Sequence, residues 1–598
     1  MEERIKFYDK KIEGAREELK QLKSRCDFYS ILRFIIIAVL IVALYISYKN
    51  ANNNLAIMSI VIAVATFSIV ASIHSKALYE QSKIKTLVKV NEEAKARLNG
   101  EWKKFEDDGH EYLKVEHPYV NDLDIFGKSS LFQWVNTTTT QFGRNRLKEI
   151  LSMDKLPTKE DILRRQSIIR ELGEKVDFRQ KVQIEGSIEE KGKGDPESFV
   201  AWAKESNDKI LKPYNTVISF LCPILLIASI IIYFSTHVIS RAIPLAVTVL
   251  NIIILRIGKS EIETALDTLY DVKYKISKYF NIINLIENES FEDENLKKLK
   301  AKLNSNGLNA VNEMKELDRI AVKVRDRGNM VYIIINILLL WDCHLLKQLE
   351  LWRRKSGNTV EAWFEVIGEF EAYMSIANIS GDFNKYSFPK IEDKLTISGK
   401  EIAHPLIGER AISNNFSLEK DKSIILITGS NMSGKSTFLR TVGINMILSY
   451  IGAPVCAKEF STPILNIYTC MRIGDNLEEN ISSFYAEILR IKILMEAVNR
   501  GEHVFFLLDE IFKGTNSMDR HTGAEMLINQ LSKKPALGFV STHDLELCDL
   551  QDSNNKVTNY HFKEHYVNNE IKFDYTLRSG KSTTRNAVYL MRMAGIDI

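Results

Sequence analysis

"SIILITGSNMSGKSTFLRTVGINMIL", Ser423–Leu448, fits a strand, a tight loop and a helix in that order. The loop carries G-x-x-x-x-G-K-S at Gly429–Ser436. Glycines at its two ends let the chain curl so that successive backbone N–H groups face an anion. The helix that follows adds the positive end of its dipole. This is a phosphate-binding loop, and it predicts an α/β domain around it. The candidate nucleotide-binding residues are Gly429, Ser430, Asn431, Met432, Ser433, Gly434, Lys435, Ser436 and Thr437. Lys435 would reach the β- and γ-phosphates of ATP, and Ser436 would hold Mg²⁺.

Two later stretches supply what such a loop lacks. "VFFLLDEIFKGTNSMD" (Val504–Asp519) is an apolar run ending in Asp509–Glu510. It puts one carboxylate at the metal and a second, Glu510, where a water could be activated. "GFVSTHDLEL" (Gly538–Leu547) is another apolar strand ending at His543. The order of loop, Asp-Glu and His is that of ATP-binding-cassette-like ATPases, in which the histidine senses the γ-phosphate. Asp509 and Ser436 are therefore the expected metal ligands, and Glu510 and His543 the catalytic candidates.

Working outward, the chain has 598 residues, too many for one hydrophobic core, so several domains are expected. A net charge of only +3 gives no whole-chain electrostatic case for nucleic acid. Six scattered cysteines without a C-x-x-C pair read as reduced thiols.

Four stretches are far more apolar than the rest. They are Phe34–Tyr48, Leu55–Ile73, Thr216–Phe234 and Ala242–Leu255, arranged as two closely spaced pairs. A helix needs about 20 apolar residues to cross a bilayer. The second and third stretches reach that length outright, the first by recruiting Ile31, Leu32 and Arg33, and the fourth is the weakest. The pairing predicts two transmembrane hairpins; buried core helices are the competing reading. By contrast "MVYIIINILLLW" (Met330–Trp341) is too short to span and reads as a core helix. The leader before Phe34 carries nine Lys or Arg, and the two hairpin loops carry one each, Lys49 and Arg241. Positive charge stays inside, which places both termini and the C-terminal domain in the cytoplasm of a multi-pass cell-membrane protein. The long charged leader and the lack of a small-residue cleavage motif argue against a cleaved signal.

The leader has an apolar rhythm at Ile5, Tyr8, Ile12, Ala15, Leu19, Leu22, Cys26 and Tyr29, with steps of 3 and 4. That is the seam of a coiled coil. Its partner is either the charged helix after the first hairpin or a second copy of the chain. From Pro389 onward the texture changes to β-branched runs with more Pro and Gly, marking the α/β region.

Taken together, "GSNMSGKSTFLR", "RIGDNLEENISSFYAE", "LLDEIFKGTNSMD", "STHDLEL" and "YTLRSGKSTTRNAVYLMRMAGI" resemble the ATPase domain of the MutS family. "LFQWVNTTTTQFGRNRLKEILSMDKLPTKEDILRRQSIIREL" (Leu131–Leu172) is similar to the opening of the MutS core, and "WFEVIGEFEAYMSIA" (Trp363–Ala377) to its closing helix. The resemblance covers roughly 120–210 and 300–598. It implies a mainly α protein with a C-terminal α/β P-loop ATPase domain of ABC type and a helical core with levers, to which the apolar pairs add two transmembrane hairpins. The expected segments are a coiled-coil helix at 1–30, hairpins at 31–75 and 211–258, a helical linker at 76–119, core and lever helices at 120–210 and 259–384, and the ATPase domain at 385–598. It also implies a homodimer in which Ser482 and Ser483 contact the nucleotide of the other subunit. MgATP is the implied substrate and DNA a possible partner at the level of the family; membrane lipid is the partner expected from the apolar pairs.

Departures are visible. Ser430 and Ser433 stand where the family usually has Pro and Gly, and Ala411 or Ile412 where an aromatic often stacks on adenine. "HPLI" at His404–Ile407 resembles the segment entering the nucleotide pocket. The family's mismatch-reading domain is expected before the core; a coiled coil and an apolar hairpin stand in its place. The second hairpin falls near the place from which the levers reach around DNA.

Overall fold

The computed structural model describes residues 1–114, 116–188, 196–236, 238–305, 307–325, 327, 330–472, 483–567 and 570–582. The chain opens with two very long helices, α1 (Glu2–Lys49) and α2 (Asn53–Leu98), joined by a turn in which the Asn52 side chain accepts from Leu55 N–H. They run antiparallel: Lys95 meets Asp9, Arg16 meets Glu92, and Arg33 meets His74. The seam positions Tyr8, Ile12, Ala15 and Cys26 are buried and the other four half-buried, so within one chain the leader pairs with its own returning helix.

The base of this pair is bolted to the helical body. Arg4 and Tyr8 both reach Asp382, at 2.9 and 2.7 Å, and Tyr79 donates to Glu185 at 2.8 Å. The body begins with α3 (Gln141–Ser152), α4 (Lys159–Glu174) and α5 (Val176–Ser187). A second apolar pair follows, α6 (Pro213–Thr236) and α7 (Ala242–Ile257). Then come α8 (Lys259–Asn288), α9 (Ala310–Arg325), α10 (Met330–Leu339), α11 (Trp341–Ser356) and α12 (Val360–Asp382).

Helix α12 is the spine of the body, with Trp363, Phe364, Phe370 and Tyr373 fully buried against α3 and α4. Its Glu371 organises the preceding "TTTT" stretch. The carboxylate accepts from the backbone N–H groups of Thr139 and Thr140 at 2.9 and 3.2 Å, and from both hydroxyls. Thr140 in turn caps α3 by accepting from Gly143 N–H. Gly143 must be glycine because a Cβ there would lie 2.2 Å from a Glu371 oxygen.

By length and composition α1, α2 and α6 could each cross a membrane, and α7 reaches the criterion only together with the start of α8, to which it is bent by 64°. The apolar windows of α1 and α2 are 6% and 0% buried, and that of α6 is 28% buried. These side chains face outward, which excludes the reading of all four stretches as core helices. The expectation for Met330–Trp341 needs correction. Its helix α10 packs on α6 and α7, and Ile333 and Ile334 are 56% and 57% exposed. The error was one of length: ten apolar residues fit a core helix, but only tertiary placement says which surface they cover.

The C-terminal region is α/β as expected. A small sheet has the order β1 (Lys390–Ile391), β5 (Glu459–Thr462), β2 (Thr396–Ile402), β3 (Asn414–Glu419). The larger sheet contains β4 (Ile424–Thr428), β6 (Asn466–Cys470), β7 (Val504–Asp509), β8 (Ala536–Thr542), β9 (Val557–Val567) and β10 (Glu570–Ser579), in the order β10-β9-β4-β8-β7-β6. All its neighbours are parallel except β9 and β10. Strands β4 and β8 are buried from end to end, and β7 up to its half-buried last residue Asp509, as parallel strands covered by helices α13 (Lys435–Tyr450), α14 (Ser483–Asn499) and α15 (Ser517–Ser532) should be.

Buried Asp122, from the segment leading into the body, joins the two regions. It accepts from Thr469 at 2.7 Å, from the N–H groups of Met471 and Arg472, and from Arg490 on α14 at 3.0 Å. All six cysteines are free, in keeping with reduced thiols.

Candidate functional site

The parallel strands β4, β8 and β7 end side by side, and each delivers one piece of the site at its C-terminal end. In open α/β sheets that edge is where ligands bind, because the loops there diverge and helix N-termini converge. After β4 the chain makes the glycine-rich loop and enters α13 at Lys435. Gly434 has φ +107°, and a Cβ there would press to 3.2 Å on the Tyr575 ring, so glycine is required on two counts.

Lys435 is 4% exposed. Its amine donates to the carbonyls of Gly429 and Ser430 at 3.0 and 3.1 Å and lies 3.3 Å from His543 Nε2 and 3.6 Å from Glu510. Burial pulls its pKa below the ordinary lysine value, against the pull of Glu510 and Asp509. Glu510, just after β7, sits in the left-handed region at φ +50°, a strained position that aims it across the strand ends. It meets His543 Nε2 at 2.6 Å and Lys513 at 2.7 Å. The His543 contact first, then Lys513 and Lys435, hold its carboxyl well below the usual carboxylate range, although burial opposes this. Asp509 accepts from the Ser541 hydroxyl of the neighbouring strand.

The sequence therefore pointed to Lys435, Asp509, Glu510 and His543 from three separated stretches, and the fold brings them to one strand edge. Ser436, half-buried, and Thr437, exposed, lie in the first turn of α13; Asn431 and Met432 are exposed on the loop. Ser482 lies outside the described residues, as does the side chain of Ser483, the first residue of α14.

A cleft of about 490 Å³ opens over the loop, lined among others by His404, Ile407, Ile412, Lys435, Glu510 and Tyr575. That volume is in the range of small-ligand and cofactor sites. Burial holds His404 mostly neutral, its pKa pushed down to about 4. The donor set fits a polyphosphate. Lys435, the Ser436 and Thr437 hydroxyls and the α13 N-terminus converge there, and the Ser433 hydroxyl is buried with no hydrogen-bond partner among the described residues. Ser430, the other departure in the loop, donates to Glu564 of β9 at 3.1 Å.

Three further residues contribute. Lys513 and Ser541 lie inside the Asp-Glu and histidine stretches, where no spacing rule gives them a role. Tyr575 supplies an aromatic ring at the cleft where Ala411 and Ile412 do not; its signal was its place at the head of the last motif. A further contact ties α14 to the acidic loop, where Phe512 N–H donates to Glu487.

Residues 425–597 match the family model described as MutS domain V. This C-terminal region of the chain is therefore similar to domain V of the MutS family. Similar proteins include the DNA mismatch repair protein MutS of Persephonella marina, 30% identical over 235 residues, which cover 38% of this chain and 27% of that one. The endonuclease MutS2 of Carboxydothermus hydrogenoformans is 27% identical over 239 residues, 40% of this chain and 30% of that one. The Staphylococcus aureus MutS is 26% identical over 331 residues, 54% of this chain and 36% of that one. The alignments thus span about a third or less of each MutS relative, and the MutS domain V match coincides with the region that carries the cleft.

Proposed function

We propose that this chain is a membrane-anchored MutS-family ATPase that binds and hydrolyses MgATP at composite sites of a homodimer and drives a movement of lever helices. The observation that carries the reading is the convergence of Lys435, Glu510 and His543 at the ends of β4, β7 and β8. MgATP supplies a γ-phosphoryl group poised for transfer to water, with Mg²⁺ neutralising its charge.

The chain's own residues do the rest. Lys435 exchanges its Gly429 and Ser430 carbonyls for phosphate oxygens, and the α13 N-terminus and the Ser433 hydroxyl add donors. Ser436 and Asp509 would hold the metal. Glu510, freed from Lys435, takes the proton of the attacking water, and His543 orients Glu510 and reports the γ-phosphate. Tyr575 flanks the base. Ser482 and Ser483 of the partner subunit complete the pocket, and the Glu487–Phe512 contact relays their arrival to the acidic loop. Phosphate release by the detergent-purified chain tests this. Glu510→Gln should keep ATP binding, lose turnover by about 10²–10⁴-fold and stabilise the closed dimer; rapid turnover in that variant overturns the assignment of the base.

The anchoring is supported by the outward-facing apolar windows of α1, α2 and α6. It places hairpins 31–75 and 211–258 in the cell membrane, with both termini and the ATPase domain cytoplasmic. DNA is the cargo expected by family resemblance. A second reading, a mechanochemical membrane protein with no nucleic-acid partner and no part in mismatch repair, is favoured by one observation. The apolar pair α6–α7 interrupts the helical body between α5 and α8, where levers that grip a duplex would run. Binding to duplex DNA as a function of salt separates the two: no binding at low salt removes the DNA reading.

A further inference from the structure

Helix α10 is the apolar element that neither the ATPase site nor the two hairpins account for. Its ten residues extend about 15 Å, half the thickness of a hydrocarbon core. At Leu340 the backbone turns left-handed (φ +50°), and the helical run Trp341–Asp382 leaves at 79°, its first helix α11 carrying Arg353, Arg354 and Lys355 in the last turn. The two helices therefore cannot form one straight span.

The break is finished in a way that a water-exposed loop does not need. Ending the helix orphans carbonyls of its last turn. One of them, Ile337, accepts at 2.9 Å from Asn251, a fully buried amide in the largely apolar α7. Asp342 at the head of α11 is 5% exposed. It accepts from Tyr332 at 2.5 Å and Asn336 at 2.9 Å, and pairs with Arg327 at 3.3 Å. Tyr332 and Asn336 are four residues apart, so they share one stripe of α10, and that stripe is clamped to Asp342. Away from it stand Ile333 and Ile334, more than half exposed.

The position along the hairpin is also defined. α10 meets α7 at Asn251, six residues before its end, and Phe220, near the start of α6, packs edge-on against His344 of α11 at 4.6 Å. Both contacts lie on the half of the hairpin where the chain enters and leaves. Irregular backbone is tolerated at membrane depth only where protein satisfies its polar groups, as Asn251 does here. The exposed isoleucines continue the outward-facing apolar surface of α6 and α7, on which α10 packs.

We propose that α10 is a third lipid-facing element, a short helix set into the cytoplasmic leaflet beside α6–α7, with Ile333 and Ile334 against acyl chains. The inference rests on the membrane reading of α6–α7. It makes the α9–α10–α11 segment the place where movement of the body is passed to the leaflet, through the Asp342 clamp and the Asn251 cap.

The test uses the full chain in vesicles of phosphatidylcholine and phosphatidylglycerol, with a carbene photolabel dissolved in the acyl region and labelled peptides mapped by mass spectrometry. Label on 333–338 as well as on 213–257 is expected. Label on 213–257 alone overturns the inference and leaves the anchoring intact, whereas label on neither overturns both. Ile334→Asn should cut the labelling of α10 several-fold and leave that of α6 unchanged; equal loss in both overturns the assignment of this face. Efficient disulfide-linked dimers of Ile334→Cys, without label on 333–338, would show that a second copy covers it and also overturn the proposal.

Discussion

Lys435 is held by two carbonyls, a histidine and a carboxylate, so its charge is already matched before any phosphate arrives. Lys435→Ala removes both the phosphate contact and a buried charge that Glu510 needs. Nucleotide binding, read with a fluorescent ATP analogue, should fall below detection. Glu510 gives a pH prediction whose sign can be worked out. Its folded carboxyl titrates far below the usual range, mainly through His543. It therefore adds stability above the unfolded carboxylate pKa of about 4.3, and that contribution is lost as pH falls from there through the folded value. In His543→Ala the leading donor is gone. The variant should melt below the parent at neutral pH, and the gap should narrow as the pH is lowered beneath about 4. A gap that widens on acidification would contradict the coupling. At this scale the sequence was informative because phosphate chemistry demands particular side chains at particular spacings. Tyr575 was harder to see, because a lone aromatic near a strand end has no spacing rule, and its ring reaches the cleft only through the β9–β10 hairpin.

Among the elements, the "TTTT" stretch and α12 show how a local signal and a distant partner combine. Thr140 caps α3 by a short-range rule, but its hydroxyl and N–H, and those of Thr139, depend on Glu371 more than 200 residues away. Glu371→Ala would leave these buried donors unmatched at a cost of about 3 kcal/mol or more. The full chain should lose several degrees in melting temperature, with Glu371→Gln intermediate because it keeps one acceptor. Equal stability of all three would mean that water replaces the carboxylate. The coiled-coil rhythm of α1 likewise announced a helix and a seam while leaving the partner open; the Asp9–Lys95 and Glu92–Arg16 pairs show that within the chain it is α2. Helix α10 is the element that the sequence misassigned. An apolar run of ten residues has the same composition in a core and on a lipid-facing surface, and its isoleucines do not differ from those of buried α13.

Across the whole molecule, ion-paired and hydrogen-bonded joints connect three parts. Arg4 and Tyr8 fasten the first helix pair to Asp382, where the helical body hands over to the α/β region, and Asp122 fastens the body to β6 and α14. If the two apolar helix pairs lie in a bilayer, carbonate or high salt should leave the chain in the membrane pellet and detergent should release it. Release by carbonate alone would show that the apolar faces are covered by protein. The sequence by itself determined the α/β region, the phosphate-binding loop, the acidic and histidine partners and the two apolar pairs. Those features rest on local rules of spacing, dipole, strand texture and helix length. Only the tertiary structure decided that Lys435, Glu510 and His543 meet, that the leader folds back on its own chain, and that α10 faces outward beside α6 and α7. Contacts between residues far apart in the chain depend on how whole elements pack, and no local pattern encodes that.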